Sequence, residues 1–501
     1  MNRKIYSILV KQHILTPGGL FTLFWSFFKD GISLMALMRF SAKYYPDRCA
    51  LVWEGKRFTY KELYDYAHRL ARMLFNNHGI KKGMCVGLVC RNHVMVTLLL
   101  PALSRIGVRV KLFNTDITQQ MVGEMVNSYN ISLLICDSEL KEERIPDEVQ
   151  CKIIKGEDLF SELFGRARDT KVSVPRIIRG GDISIFTGGT SGRSKETSRK
   201  MYISQYLPPF YALLVILHLD RYDGVFLSLP VYHGFGLVTL IISFAMGKKV
   251  CLESHFDAKV ALKVISEEKI EVVPVVPAML GRLWQIDEAP TMMKSVKCII
   301  SGGDRLDKKW VEITKEYLGN VLYNLFGTTE AGVVMIATPE DLSCNEEVTI
   351  GKPIKGLKCK IENPDNLGVG SLWVRSGWAM IGLKDKWQDT GDLVFRNAKG
   401  YYFYRGRSDN MVVCGGENVY PENVEKVINS LPDVLSSVVY PVTDSLFGTV
   451  LNARVELKPT SSLTPEIIKE RLRPRLSRAE MPHDITIESI ITSATGKLKR
   501  N

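Results

Sequence analysis

With 501 residues, 46% hydrophobic and 24% charged, the chain has a globular composition but is too long for one core, so two or more domains are expected. Its formal net charge of +12 favours anionic partners such as nucleotides, coenzymes or lipid head groups, or else a solvated basic surface; no run of consecutive Lys/Arg suggests a nucleic-acid arm. The ten Cys lie scattered, with no C-x-x-C pair and no His cluster at zinc spacing, which fits free thiols in a reducing cytoplasm. In chain order, the first feature is LFTLFWSFF at 20–28, followed after Lys29 and Asp30 by GISLMALMRF. Each run is shorter than the ~20 residues a spanning helix needs, and no small-residue cleavage site follows the first. Two readings stay open: a helix docked on the core, or an amphipathic segment touching a membrane peripherally through residues 20–40.

The stretch 58–79 has apolar residues at helical spacing, with Thr59 as N-cap and Gly79 past the end. The runs 84–90, 131–137, 270–277 and 296–303 read as buried strands, and their alternation with helical patterns predicts parallel sheets covered by helices. Ligands of such sheets bind at loops leaving the carboxyl ends of strands. DISIF at 182–186 is one such strand, and the run TGGTSGRSK leaves its end. Successive backbone N–H groups in a Gly-rich turn form a concave anion site, with Thr and Ser hydroxyls, Arg193 and Lys195 adding donors and charge. The spacing is not that of a Walker A loop, because Lys195 does not directly follow Gly192.

Further on, YNLFGTTEAG at 323–332 puts Glu330 at a strand end, either as a Mg²⁺ ligand or in the first turn of a helix capped by Thr328 or Thr329. WQDTGDLVF at 387–395 places Asp389 and Asp392 around Gly391, either gripping ribose hydroxyls or forming an Asx-type turn. Beyond residue 350, GSLWVRS and GYYFYRGR suggest short antiparallel strands, and 420–442 a helix begun at Pro421 followed by a strand. YRGRSDNMVVCGGENVYPENVE at 404–425 and SATGKLKRN at the end complete the set.

In this order the blocks resemble the adenylate-forming superfamily, which includes acyl-CoA synthetases, aryl-CoA ligases and luciferase. FTGGTSGRSK is similar to its phosphate loop, LPVYHGFGL to its gate segment, SGGDRL to its adenine stretch, and FGTTE, DTGDL, GRSDNMVVCGGENVYPENVE and TGKLKR to the blocks that follow. The resemblance implies an α/β fold with a large N-terminal domain of helix-covered, mostly parallel sheets (1–404) carrying a small β-barrel-like subdomain. A hinge at 405–409 and a small mobile α/β C-terminal domain at 410–501 would follow.

It also implies roles. Thr187, Gly188, Gly189, Thr190, Ser191, Gly192 and Lys195 would hold the ATP phosphates, and Thr190 with Glu330 would position Mg²⁺. Gly302, Gly303 and Asp304 would line the adenine pocket opposite Tyr323 to Phe326, with Gly327 and Thr328 beside them and Thr329 near the α-phosphate. Asp392 and Arg407 would hold the ribose, Asp409 would be the hinge, and Lys497 would bridge carboxylate, ribose and α-phosphate. Gly415 and Gly416 would face the thiol tunnel; His233, Phe235, Leu237, Val276 and Met279 would line the acid pocket, with His233 as its gate. The apolar lining suggests a medium- or long-chain fatty acid, or an aromatic acid. With no fused carrier domain after Lys497, the acceptor is expected to be coenzyme A, or alternatively a separate acyl carrier protein. Departures sit in the phosphate loop: Gly188 for Ser, Ser191 for Thr, Ser194 for Pro and Glu196 for Gly. They keep open a non-catalytic protein that senses acyl-adenylate or nucleotide.

Overall fold

The computed structural model describes residues 3–165, 173–187, 195–199, 203–380, 382–410, 412–414, 417–444 and 448–490. The chain forms two compact units: Met1–Pro274 with Ser295–Lys297 and Trp378–Lys384, and Val275–Lys294 with Cys298–Gly377 and Asp385–Asn501.

In the first unit, the apolar runs form parallel sheets as their composition predicts. One sheet places Lys152–Lys155, Leu133–Cys136, Cys85–Val89, Arg109–Leu112 and Ile183–Thr187 side by side in that order, all parallel; Lys195–Arg199 returns antiparallel at the edge. A second run of parallel pairing joins Cys49–Trp53, Lys249–Leu252 and Gly224–Leu227, with Lys56–Thr59 folded back on the first of these. The helix Val94–Ile106 is buried along its whole length, as its unbroken apolar sequence requires. The helix Tyr60–Asn76 starts on a full capping box: the Glu62 N–H donates to Thr59 Oγ1 at 3.2 Å and the Thr59 N–H to the Glu62 carboxylate at 2.8 Å. It buries Leu63, Ala67, Leu70 and Leu74, the stripe that its periodicity predicted.

The N-terminal apolar segment divides in two. The helix Leu34–Tyr44 buries Leu34, Met35, Ala36, Met38 and Phe40, so this half is a docked core helix. The helix Pro17–Asp30 instead buries Gly19, Ser26 and Asp30 and exposes Phe21, Phe24, Trp25 and Phe28. Among the described residues no helix is long and apolar enough to cross a membrane.

The second unit begins with parallel strands Cys298–Gly302 and Leu322–Thr328, to which Gly332–Ala337 adds antiparallel. An antiparallel sheet of Lys358–Glu362, Gly370–Arg375, Gln388–Arg396 and Tyr402–Arg407 follows, with Leu372, Val374, Val394 and Tyr402 in its core. The helix Pro421–Asn429, with Pro at its start, then packs with strands Val434–Asp444, Gly448–Leu457 and Asp484–Ile487 around Val424, Ile428, Val439, Val455 and Ile468. The expected α/β class with a smaller C-terminal α/β part is what the chain adopts. The expected boundary at 404–410 falls within the second unit.

Candidate active site

The expected phosphate loop leaves the carboxyl end of a parallel strand, Ile183–Thr187. Thr187 and Lys195 pair across the antiparallel edge, so residues 188–194 connect two facing strand ends. Gly188, Gly189, Thr190, Ser191 and Gly192 themselves lie outside the described residues, as do Gly415, Gly416 and Lys497. Gly415 and Gly416 are flanked by strands Val412–Cys414 and Glu417–Val419, with Cys414 opposite Glu417. Asp409 lies in the single helical turn Ser408–Asn410.

His233 sits at the start of helix Gly234–Ala245, in the same unit as the phosphate-loop strand. The helix begins in a turn so tight that a Cβ on Gly236 would meet the Pro230 carbonyl oxygen at 2.3 Å, so only Gly fits. A Cβ on Gly234 would lie 3.4 Å from Ile185, which places this turn against the phosphate-loop strand. The turn is held by Asn92, a residue without any motif in the sequence: buried to 1% exposure, it donates to the Leu229 carbonyl and accepts from the Val231 N–H, both at 2.9 Å. Next to it, His93 accepts from the Met95 N–H at 3.1 Å, leaving Nε2 to donate to Asp137 at 2.7 Å. Cys90, His93 and Asp137 are close enough to hold an ion. However, both His93 nitrogens are engaged, and burial pushes the Cys90 thiol well above its ordinary value, so the cluster acts as a helix cap and not as a metal centre. Of the expected acid-pocket residues, His233 and Phe235 are half-buried, and Leu237, Val276 and Met279 are buried, the last two in the second unit.

The second unit carries the residues expected at the adenine and the ribose. Gly302 pairs with Leu325 and Ile300 with Tyr323, so the adenine stretch Gly302–Asp304 leaves its strand beside Tyr323–Phe326. The strand runs on through Phe326, Gly327 and Thr328 into a hairpin whose tip is Thr329, Glu330 and Ala331, with the Ala331 N–H donating to Thr328 Oγ1 at 3.0 Å. Glu330 is therefore at a hairpin tip and not in a helix, which removes the N-cap alternative. Asp392 and Arg407 face each other on neighbouring strands, Nη1 to Oδ1 at 3.3 Å, with the same nitrogen donating to the Thr390 carbonyl at 2.9 Å. Gly391, at φ +71°, makes room, since a Cβ there would meet the guanidinium at 2.7 Å. Asp389 makes the Asx turn, accepting from the Gly391 N–H at 2.9 Å, so the turn reading of this motif holds for Asp389.

No motif signals the contacts that hold Arg405, Lys426, Asn429, Val434 and Leu435. Lys309 donates to the carbonyls of Asn429, Val434 and Leu435 at 3.0–3.3 Å, and burial lowers its ammonium pKa. Burial raises the neighbouring Asp307, which accepts from Asn429 at 3.3 Å. Glu347 accepts from Arg405 at 2.8 Å and from Lys426 at 2.9 Å. Partial burial alone would raise the Glu347 carboxyl, but these two cations outweigh it and bring it from the usual 4.5 to about 2. A depressed carboxyl contributes stability that is present above about pH 4.5 and lost as pH falls towards 2. With 43% of the side chain exposed, solvent screening reduces this to about 1 kcal/mol. Glu347→Gln is therefore expected to lower stability by about that amount at pH 7. In chemical denaturation across pH 3–7, the gap to the parent should close below pH 4.5.

Gly turns that leave the carboxyl ends of parallel strands, with a buried Asp392 beside a half-buried Arg407 on facing strands, are features of α/β folds that bind nucleotides. The chain belongs to the AMP-binding enzyme family, whose profile matches residues 38–383. It is a member of the adenylate-forming superfamily, whose CoA ligases use ATP, Mg²⁺ and coenzyme A to activate a carboxylate. The 2-succinylbenzoate–CoA ligase of Listeria innocua is 27% identical, covering 91% of this chain and 96% of that ligase. That of Bacillus subtilis is 25% identical, covering 91% and 94%. The Bacillus subtilis o-succinylbenzoate CoA synthetase with its acyl-adenylate has a TM-score of 0.76 at 23% identity, covering 93% of this chain and 96% of that one. An anthranilate CoA ligase with anthranoyl-AMP has a TM-score of 0.80 at 20% identity, covering 93% and 95%. These structures share the fold.

Proposed function

We propose that the chain is an aryl-acid–CoA ligase. Support comes from relatives that align almost end to end and act on 2-succinylbenzoate. This displaces the fatty acid expected from the apolar lining, and with it a role in fatty acid metabolism. An apolar pocket accepts an alkyl chain and an aromatic ring alike, so composition alone could not separate them. The helix Gly234–Ala245 carries no charged residue, which suits the ring of an aromatic acid.

ATP and Mg²⁺ suit the residues present: Glu330 offers a carboxylate at a hairpin tip, and Asp392 with Arg407 offers an acceptor and a donor side by side. Thr190 and Glu330 would hold Mg²⁺, which would neutralise phosphate charge. Thr187, Lys195 and the loop between them would hold the phosphates, Gly302–Asp304 and Tyr323–Phe326 the adenine, and Asp392 and Arg407 the ribose. A carboxylate oxygen attacks the α-phosphorus, the bond to pyrophosphate breaks, and Lys497 stabilises the charge that develops. The coenzyme A thiolate then attacks the acyl carbonyl and AMP leaves. No side-chain nucleophile is needed. Between the steps, residues 410–501 would turn about a hinge at 405–409, exchanging Lys497 for the 415–416 turn, and the contacts of Lys309 and Glu347 would have to break and reform.

The test is acid-dependent pyrophosphate exchange, with benzoate, anthranilate, 2-succinylbenzoate and C8–C16 fatty acids. Exchange with aromatic acids is expected to exceed that with fatty acids by at least roughly tenfold. The reverse order would restore the fatty acid, and exchange with no acid would favour the non-catalytic sensor. Thioester formed on carrier protein but not on coenzyme A would overturn the acceptor.

A further inference from the structure

The helix Pro17–Asp30 carries an aromatic stripe that the folded protein leaves uncovered. Leu20 is 50% exposed, Phe21 66%, Phe24 65%, Trp25 43% and Phe28 46%, spaced to lie on one side of the helix. Ile178, 86% exposed, lies in the segment whose backbone pairs with Ile32 just after the helix. Scattered apolar residues on a surface need no explanation, but a contiguous aromatic one marks a contact.

The patch has a basic margin. Lys29 lies 4.9 Å from the Trp25 ring and Arg176 lies 4.3 Å from that of Phe28. The one acidic residue of the helix, Asp30, points inward at 1% exposure and is paired with Arg39 and Arg105. Arg105 also donates to the Val174 and Pro175 carbonyls at 3.1 and 2.9 Å, so one buried ion pair fixes both the helix and the segment that carries Arg176 and Ile178. Thr16 caps the helix, accepting from the Gly19 N–H at 3.0 Å. The helix is thus formed and held before any partner arrives, and little ordering cost remains on contact.

From the aromatic stripe, the Lys29 and Arg176 margin and the inward-facing Asp30, we propose that this helix docks in-plane on an anionic membrane surface. Trp and Phe rings enter the headgroup region while Lys and Arg meet lipid phosphates and carboxylates, which is the chemistry of interfacial helices. The net charge of +12 adds long-range attraction to the same surface.

The full chain is sedimented with vesicles of phosphatidylcholine alone or with added phosphatidylserine. It is expected to pellet with the anionic vesicles, less so at high salt. Phe21→Ala and Phe24→Ala should each weaken partition by roughly tenfold, and Lys29→Ala or Arg176→Ala by roughly fivefold. Denaturation midpoints and vesicle-free pyrophosphate exchange serve as controls and are expected to match the parent, since these side chains are at the surface. Equal pelleting of parent and aromatic variants would overturn the proposal, as would failure of the parent to bind either vesicle. Concentration-dependent self-association in sedimentation velocity, abolished by Phe21→Ala without any vesicle binding, would assign the patch to a second copy and overturn it as well.

Discussion

Lys497→Ala is expected to lower acid-dependent pyrophosphate exchange by roughly 10²–10³-fold while leaving thioester formation from supplied acyl-adenylate close to the parent rate. The asymmetry follows from where charge develops. In the first step two anions, the carboxylate and the α-phosphate, are forced together, and a cation between them lowers the barrier directly. In the second step the leaving group is AMP and the phosphorus is not attacked, so the same cation contributes little. Single-turnover measurement of the two half-reactions separates the outcomes. Equal losses in both would mean that Lys497 supports the fold or binding in general. An unchanged exchange rate would remove its assigned role and leave the first step without its principal cation.

The local geometry around the proposed nucleotide residues was legible in the sequence because it is built from short devices at strand ends: the Asx turn of Asp389 reads directly from DTGD, and Asp392 meets Arg407 because strands Gln388–Arg396 and Tyr402–Arg407 form one antiparallel pair. Parallel sheets were legible from unbroken apolar runs. The features that were missed join residues far apart in the chain. Asn92 acts on residues 229–231, Lys309 on 429–435, and Arg105 on Asp30, and nothing near any of them signals the partner. The fate of LFTLFWSFF was undecided for a related reason, because a buried and an exposed aromatic stripe have the same hydrophobicity. Only the direction of Asp30 and Ser26, both buried, turns the aromatic side outward.

Asp30→Ala is expected to destabilise the protein by about 3–5 kcal/mol, the largest single effect on stability predicted for this chain. The substitution leaves Arg105, with 7% of its side chain exposed, as a buried charge without its carboxylate, and frees Arg39, whose Nε now donates to Asp30 at 2.6 Å. It also removes the junction between helix Pro17–Asp30, helix Leu34–Tyr44 and helix Val94–Ile106. The loss should come from the unpaired charge more than from the missing contacts, and a second variant separates the two. Replacing both members, Asp30→Leu with Arg105→Met, removes the more deeply buried cation and leaves only Arg39, 24% exposed, without its carboxylate, and is expected to recover roughly half of the stability lost in Asp30→Ala. Urea denaturation of the two variants, with the singles Asp30→Leu and Arg105→Met closing the cycle, measures this. If the double variant is no more stable than Asp30→Ala, the pair matters through its directional bonds to Val174 and Pro175, and the position of the 174–178 segment depends on them.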